Sequence, residues 1–486
     1  MTTSDTFFAI SAAEAGPPDS QTDVLVVGFG AAGTAAAIAA CDAGAEVMVL
    51  ERMGGPGGAA ALAGGIIYLG GGTAVQRACG FEDSPTNMAA FLRAACGPEV
   101  DEAKIVAYTE HSVEHFDWLV AQGLEFEHSF SHETQMETVG TEGLVYSGGE
   151  DAWPFVEIAT PAPRGHLIRT PGSTGRLLMT TLTDAAIARG PQVSFDTRAE
   201  RLIVEGGRVI GVVARRHGSS LVIHARGGVI LTAGGFICND DMVRRNAPAL
   251  LGASWKVGTE ADDGRGIQMA QAAGARVKNM HAGEVALPII PPRKLMEGII
   301  INSRGQRFIN EDTYNGRMGQ AALFEQQGAC YLVIDEASYV PNWMGLRATW
   351  VSESVSELEE EIGLPAGSLE ATLEVYNRHA ALGDDPVAHK DASLVHPLLG
   401  PLGVFDLRPT AIPYAAFTLG GLETTVAGEV LDLAGEPIPG LLAAGRTTSG
   451  VCSFGYCSGL SIGDSTMFGR FAGATAARAA TAAAPN

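Results

Sequence analysis

The segment Asp23-Val-Leu-Val-Val27 followed by Gly28-Phe-Gly30-Ala-Ala-Gly33 constrains this chain more than any other. Five residues suited to a buried parallel strand run into a glycine turn, and a run of small residues over 34–43 continues as a helix. Gly28 permits the turn, Gly30 brings the backbone close to a pyrophosphate at the helix N-terminus, and Gly33 lets helix and strand pack closely. Ala31 and Ala32 lie within the same turn. A second apolar strand over 45–50 ends in Glu51, 18 residues after Gly33, where a carboxylate can accept a ribose hydroxyl. The spacing predicts a Rossmann-like unit that binds an ADP moiety.

Later segments separate a flavin from a nicotinamide. Gly54-Gly-Pro-Gly-Gly-Ala59 follows Glu51 and Arg52, so Gly57, Gly58 and Ala59 would run along a second phosphate. A strand over 227–231 ends in small residues, with Ala233, Gly234 and Gly235 at its tip. Residues 200–214 pattern as a hairpin around Gly206-Gly207, whose first strand would bring Ala199 to an adenine. Gly440-Leu-Leu-Ala-Ala-Gly445-Arg446 reads as a strand returning to the nucleotide domain. A helix beginning at Ser461 and Ile462 would then aim its amides at the flavin pyrimidine. Only one dinucleotide fingerprint is present and FAD takes it, so nicotinamide is not expected as the direct electron acceptor.

At 486 residues the chain exceeds one ordinary core. The expected class is α/β: a Rossmann-like FAD-binding domain (20–280), an inserted α+β substrate cap (281–413), and a C-terminal return to the FAD domain (414–486). The aromatic excursion over 126–175 is expected as loops over the flavin. The cap pattern includes a strand over 331–334, prolines at 288, 291 and 292, and an acidic stretch over 357–361 read as a solvated helix face. The alanine-rich tail after Gly473 reads as a fraying helix.

A formal charge of −23 opposes a polyanionic partner, because neutralising phosphates requires clustered Lys and Arg, so no nucleic acid is expected. Seven cysteines without zinc spacing point to reduced thiols in a cytoplasmic protein. The acidic N-terminus lacks a signal pattern, and glycines interrupt the apolar runs, so no stable membrane insertion is expected.

These motifs, with Tyr68-Leu-Gly-Gly-Gly-Thr73, Ala78-Cys-Gly-Phe81, Ala162-Pro-Arg-Gly-His166, Glu311-Asp-Thr-Tyr314, Phe417-Thr-Leu-Gly-Gly421 and the run from Gly450 to Asp464, resemble the fumarate reductase and 3-ketosteroid dehydrogenase superfamily. Within it they are most similar to the 3-ketosteroid Δ4-(5α)-dehydrogenase family, over nearly the whole chain. The resemblance implies non-covalent FAD, a steroid substrate, an electron acceptor it does not identify, and catalytic roles for Tyr314, Tyr456 and Ser458. Asp263 joins the cofactor-binding set on the same basis. Cys452 and Tyr456 align where a fumarate reductase would grip carboxylates with His and Arg. Each lost charged hydrogen bond is worth about 1.5–3 kcal/mol, which disfavours a dicarboxylate substrate. Arg446 stands where many members carry Glu beside the ribityl chain.

The implied reaction takes a proton from C4, acidified by the C3 ketone, and a hydride from C5 to flavin. Ser458, in relay with Tyr456, is the expected proton acceptor, and Tyr314 the group that holds or polarises substrate. Plainer roles stand beside these: Ser458 as a helix cap, Tyr456 as packing, Tyr314 as a loop anchor. Cys452 and Cys457 read as small apolar residues, and His166 as structural or pocket-lining. Rival activities are Δ1 desaturation, enoate reduction, and flavin binding without turnover.

Overall fold

A computed structural model describes residues 8–132, 140–172, 174–290 and 292–483. Pro291 and part of the excursion over 126–175 lie outside the described residues. The strand Ser20–Val27 (β1) runs beside Val47–Leu50 (β2), which pairs with Gln192–Ser194 (β3); on its other side β1 meets Ser219–Leu231 (β4), whose end pairs with Pro437–Ala443 (β5). All these pairings are parallel, and Val24 to Val27, Val47 to Leu50 and Val229 to Leu231 are buried, as a sheet covered on both faces requires. The registers align Val27, Leu50, Ser194, Leu231 and Ala443, so five strand ends open onto one crevice. The first half of β4 instead closes an antiparallel hairpin formed by Thr197–Glu205 and Arg208–Arg216. That hairpin turns at Gly206 and Gly207, both at positive φ, as their spacing predicts.

The helix Ala31–Asp42 (α1) packs on Leu460–Ala483 (α2) almost backbone to backbone. A Cβ on Gly469 would lie 2.4 Å from the Ala32 carbonyl oxygen, and one on Gly473 2.2 Å from that of Ala36. This contact explains why the alanine-rich tail stays helical to Ala483 instead of fraying after Gly473: Ala476, Ala477 and Ala480 are buried. 

A second antiparallel sheet orders Ile299–Asn302, Cys330–Asp335, Leu402–Asp406 and Trp350–Ser352. One face, through Ile299, Ile301, Tyr331 and Val333, packs on the helices Val355–Ile362 and Ser368–Ala380; the other, through Ile300, Leu332 and Phe405, joins the core beneath the nucleotide sheet. Glu359 departs from the expected solvated face. It is buried, and its carboxylate accepts the amides of Gly367, Leu369 and Glu370 at the start of the following helix. A small three-stranded sheet (Trp255–Lys256, Ala415–Thr418, Gly283–Ala286) bridges the two larger ones. No helix among the described residues is long and apolar enough to cross a membrane.

Candidate active site

The aligned strand ends form the floor of a cavity lined by Gly28, Gly30, Ala31, Ala32, Glu51, Arg52, Gly58, Ala59, Ala199, Ala233, Gly234, Asp263, Gly445, Arg446, Ser461 and Ile462, all expected at a cofactor. The glycines divide by what a side chain would meet. A Cβ on Gly33 would sit 1.9 Å from the Gly28 carbonyl oxygen and one on Gly28 2.5 Å from that of Thr232, so both serve helix and strand packing. A Cβ on Gly30 would meet nothing nearer than 3.9 Å and would project into the open space itself. Such a cradle, beside the N-terminus of α1, fits a pyrophosphate.

Three expected cofactor residues do not line the cavity. Gly33 packs as described. Gly57, at φ 112°, donates its N–H to the Phe29 carbonyl, and a Cβ there would meet Ala61 at 2.8 Å. Gly235 packs against Thr418 and donates to Asp262 Oδ1 at 3.0 Å. These three support the loop from behind.

Glu51 stands at the end of β2, its oxygens accepting the Phe29 amide at 2.8 Å and the Met53 amide at 2.7 Å. Burial raises its carboxyl above the ordinary value, with those amides opposing. Each oxygen keeps a further lone pair for a ribose hydroxyl. Arg52 is paired with Asp263 at 2.6 Å beside it. Arg446 reaches Asp262 at 2.8 Å and the Val257 carbonyl at 3.2 Å, and its guanidinium lies over the Phe417 ring. Asp262 thus neutralises Arg446; sequence reading missed it, although the Asp262-Asp263 pair directly precedes the Gly264 turn.

Beyond this floor the same cavity is lined by Tyr314, Tyr456 and Ser458, so both tyrosines and the serine face one space although Tyr314 comes from a distant segment. The Tyr456 hydroxyl oxygen accepts the Ser461 amide at 3.0 Å. Tyr456, rather than Ser458, therefore caps the first turn of α2. Its ring lies edge-on to Phe417, and burial holds its phenol well above the ordinary value, the Ser461 amide opposing. Ser458 is fixed through its backbone: its N–H donates to the Ser147 carbonyl at 2.8 Å, and Ser147 Oγ donates to its carbonyl at 3.0 Å.

The Tyr314 hydroxyl donates to Glu284 Oε1 at 3.0 Å. Glu284 also lines the cavity, and burial pushes its carboxyl up to about 8, with the Tyr314 and Val285 donors opposing. Sequence reading did not single it out. The available signal was a lone acid in the apolar stretch 282–287.

The described residues over 126–132 and 140–172 do not line the cavity, a correction to their expected place over the flavin; Ser147 among them instead holds the backbone of Ser458 from behind. They also form short strands, Phe130–Ser131, Leu144–Val145 and Gly165–His166. Gly149 abuts Tyr314, where a Cβ would meet its amide at 3.0 Å. His166 is structural: its Nε2 contacts Thr73 Oγ1 at 2.9 Å, and burial lowers it to about 4. Cys452 and Cys457 are buried free thiols beside Cys96, and burial raises them, so they act as small apolar groups. Lys104 is fully buried and donates to the Ser449 carbonyl at 2.6 Å, tying the C-terminal run to the fold.

Residues 23–461 match the family model described as FAD binding domain. The chain is 48% identical to 3-ketosteroid-delta4-(5alpha)-dehydrogenase from Rhodococcus jostii RHA1, solved in complex with 4-androstene-3,17-dione; the match has a TM-score of 0.93 and covers 97% of this chain and 99% of that one. It is 27% identical to the 3-oxo-5-alpha-steroid 4-dehydrogenase of Comamonas testosteroni, over 87% of this chain and 92% of that protein. It is 28% identical to the 3-oxosteroid 1-dehydrogenase of Mycolicibacterium smegmatis, over 95% of this chain and 98% of that protein. The cradle at Gly30, the acceptor at Glu51 and these matches agree: the chain belongs to the FAD-binding flavoproteins of the fumarate reductase and 3-ketosteroid dehydrogenase superfamily, in the family of the 3-ketosteroid Δ4-(5α)-dehydrogenases.

Proposed function

We propose that this chain removes one hydrogen each from C4 and C5 of a saturated 5α-3-ketosteroid, leaving a 4-ene-3-one. The observation that carries this reading is the convergence of Tyr314, Tyr456 and Ser458 on the cavity that also holds the cofactor-binding backbone. Non-covalent FAD would be held by the Gly30 cradle, Glu51 and the amides at the start of α2, and when bound it supplies the hydride acceptor. Residues 281–413 act as the substrate cap.

The hydrogen bonds favour a division of labour different from the one expected from sequence. Tyr456 already accepts the Ser461 amide, so its single O–H is free to donate to the C3 ketone. Polarising that oxygen as negative charge develops contributes about 2.7–4 kcal/mol in comparable oxyanion sites. Tyr314 instead donates to a carboxylate, which suits proton transfer away from substrate better than polarisation. Ser458, fixed by Ser147, takes the C4 proton. A neutral ketone, unlike a dicarboxylate, needs no cationic clamp at this end.

Turnover of 5α-androstane-3,17-dione with an artificial electron acceptor, followed by identification of the steroid product, tests the proposal. A 4-ene-3-one supports it. A 1-ene-3-one would move the chemistry to the other side of the ketone, the activity named for the Mycolicibacterium relative. No steroid product would favour the enoate-reducing or non-catalytic readings.

A further inference from the structure

We infer that Glu284 is the terminal proton acceptor of the reaction, receiving through Tyr314 the proton that leaves C4. The inference rests on the desaturase reading above and adds a residue to it.

Glu284 lies on Gly283–Ala286, opposite Phe417 in the antiparallel register. It is 2% exposed; Oε1 accepts the Tyr314 hydroxyl, and Oε2 is buried without a partner. Space for this pair is made by Gly316, where a Cβ would come within 2.2 Å of Glu284 Oε1 and 2.3 Å of the Tyr314 ring. An unpaired buried carboxylate is strongly disfavoured, so a carboxyl kept here is poised to bind a proton.

The other acids lining the cavity are already committed. Glu51 holds two amides at a strand end, Asp262 is paired with Arg446, and Asp263 with Arg52. The titratable groups that face Glu284 are Tyr314, Tyr456 and Cys452; burial raises all three, so they are neutral and leave it without a counter-charge. Ser458 alone is a poor base and requires an onward path.

The C4–H bond breaks and Ser458 Oγ takes the proton, while its own hydroxyl proton passes to Tyr314 Oη and the phenolic proton to Glu284 Oε1. The electron pair left at C4 would form the C4–C5 double bond, with bound FAD supplying the acceptor for the hydride that leaves C5. Glu284 resets by losing its proton to solvent once product has left. Only the ionised carboxylate can accept, so flavin reduction speeds up as pH rises through about 8 and then levels.

Anaerobic stopped-flow reduction of the holoenzyme by 5α-androstane-3,17-dione between pH 6 and 10 tests this, with infrared difference spectra recorded at pH 9.5. Wild type should accelerate about tenfold per pH unit below the midpoint and gain a carboxylic acid C=O band on reduction. Glu284→Gln should keep its flavin spectrum and steroid affinity, lose about a hundredfold in rate, flatten the profile and abolish the band. If wild type bleaches without that pH dependence or band, or E284Q retains both rate and profile, Glu284 is not the acceptor. If E284Q does not fold, the wild-type profile and band decide alone. If no steroid bleaches wild type, the desaturase reading itself falls and this inference with it.

Discussion

The nucleotide floor of the cavity and the wall to which we assign catalysis are built by different means. The floor is made largely of backbone and small residues: Gly28, Gly30, Ala31 and Ala32 come from one short turn, and Ala233, Gly234 and Gly445 from two other strand ends. The wall is made of side chains brought together from distant segments, Glu284, Tyr314, Tyr456 and Ser458. The segment that carries Tyr314 rests on a network of buried charges. Arg307 pairs with Glu311 at 2.5 Å and Asp385 at 2.7 Å, Lys390 pairs with Glu311 at 3.0 Å, and Glu311 also accepts the Ile300 amide at 2.7 Å. Because Glu311 precedes Tyr314 by three residues, this network fixes the segment carrying the phenol. The floor's turn is set by short-range geometry; the Tyr314 side of the wall, resting on long-range ion pairs, is vulnerable at sites far from the cavity.

The largest effect should fall on the wall's anchor. Arg307→Leu leaves Glu311 and Asp385 buried with one cation fewer and should lower stability by about 3–5 kcal/mol, read as a fall in the denaturant midpoint. Acid should act in the same direction. The Arg307 charge holds Glu311 and Asp385 below their ordinary values of 4.5 and 3.8, against burial. Their contribution is therefore fully present above those values and lost as pH falls through the lower native ones. An unchanged midpoint in Arg307→Leu would break the contrast between wall and floor.

Next is Tyr456→Phe, which should retain flavin and reduce the rate of steroid-driven flavin reduction 10²- to 10³-fold, in stopped-flow absorbance. The smallest effects belong to the floor and separate its two kinds of glycine. Gly33→Ala forces a Cβ onto backbone and should cost about 1–3 kcal/mol in the apoprotein. Gly30→Ala, with no protein atom in the way, should leave apoprotein stability unchanged and weaken FAD binding, measured by fluorescence titration. If both variants lose stability equally, Gly30 is a packing residue too.

The same contrast explains what the sequence reveals. The floor was legible because turn, helix and Glu51 lie at short fixed offsets, and the hairpin at Gly206-Gly207 announces itself by its turn. Gly33 packs helix on strand as its place in the motif implies, whereas Gly57 and Gly235 are expected at the cofactor because a motif shows that a glycine is needed without showing whether ligand or protein fills the space. Tyr314, Tyr456 and Ser458 were reached through resemblance, not spacing. Glu284 and Asp262 were not reached: nothing local marks an acid that meets its partner 30 residues on, at Tyr314, or an aspartate that meets Arg446 across 184 residues. Glu359 was misread for a related reason, since an acidic run conceals the one member that turns inward to cap a helix.

Two bonds to hydrogen break in the proposed reaction, one at C4 and one at C5. Anaerobic single-turnover flavin reduction, run separately with 5α-androstane-3,17-dione deuterated at C5 and at C1, measures this directly. Slowing by deuterium at C5 and none at C1 is the predicted result. Slowing at C1 with none at C5 would contradict the C4–C5 assignment.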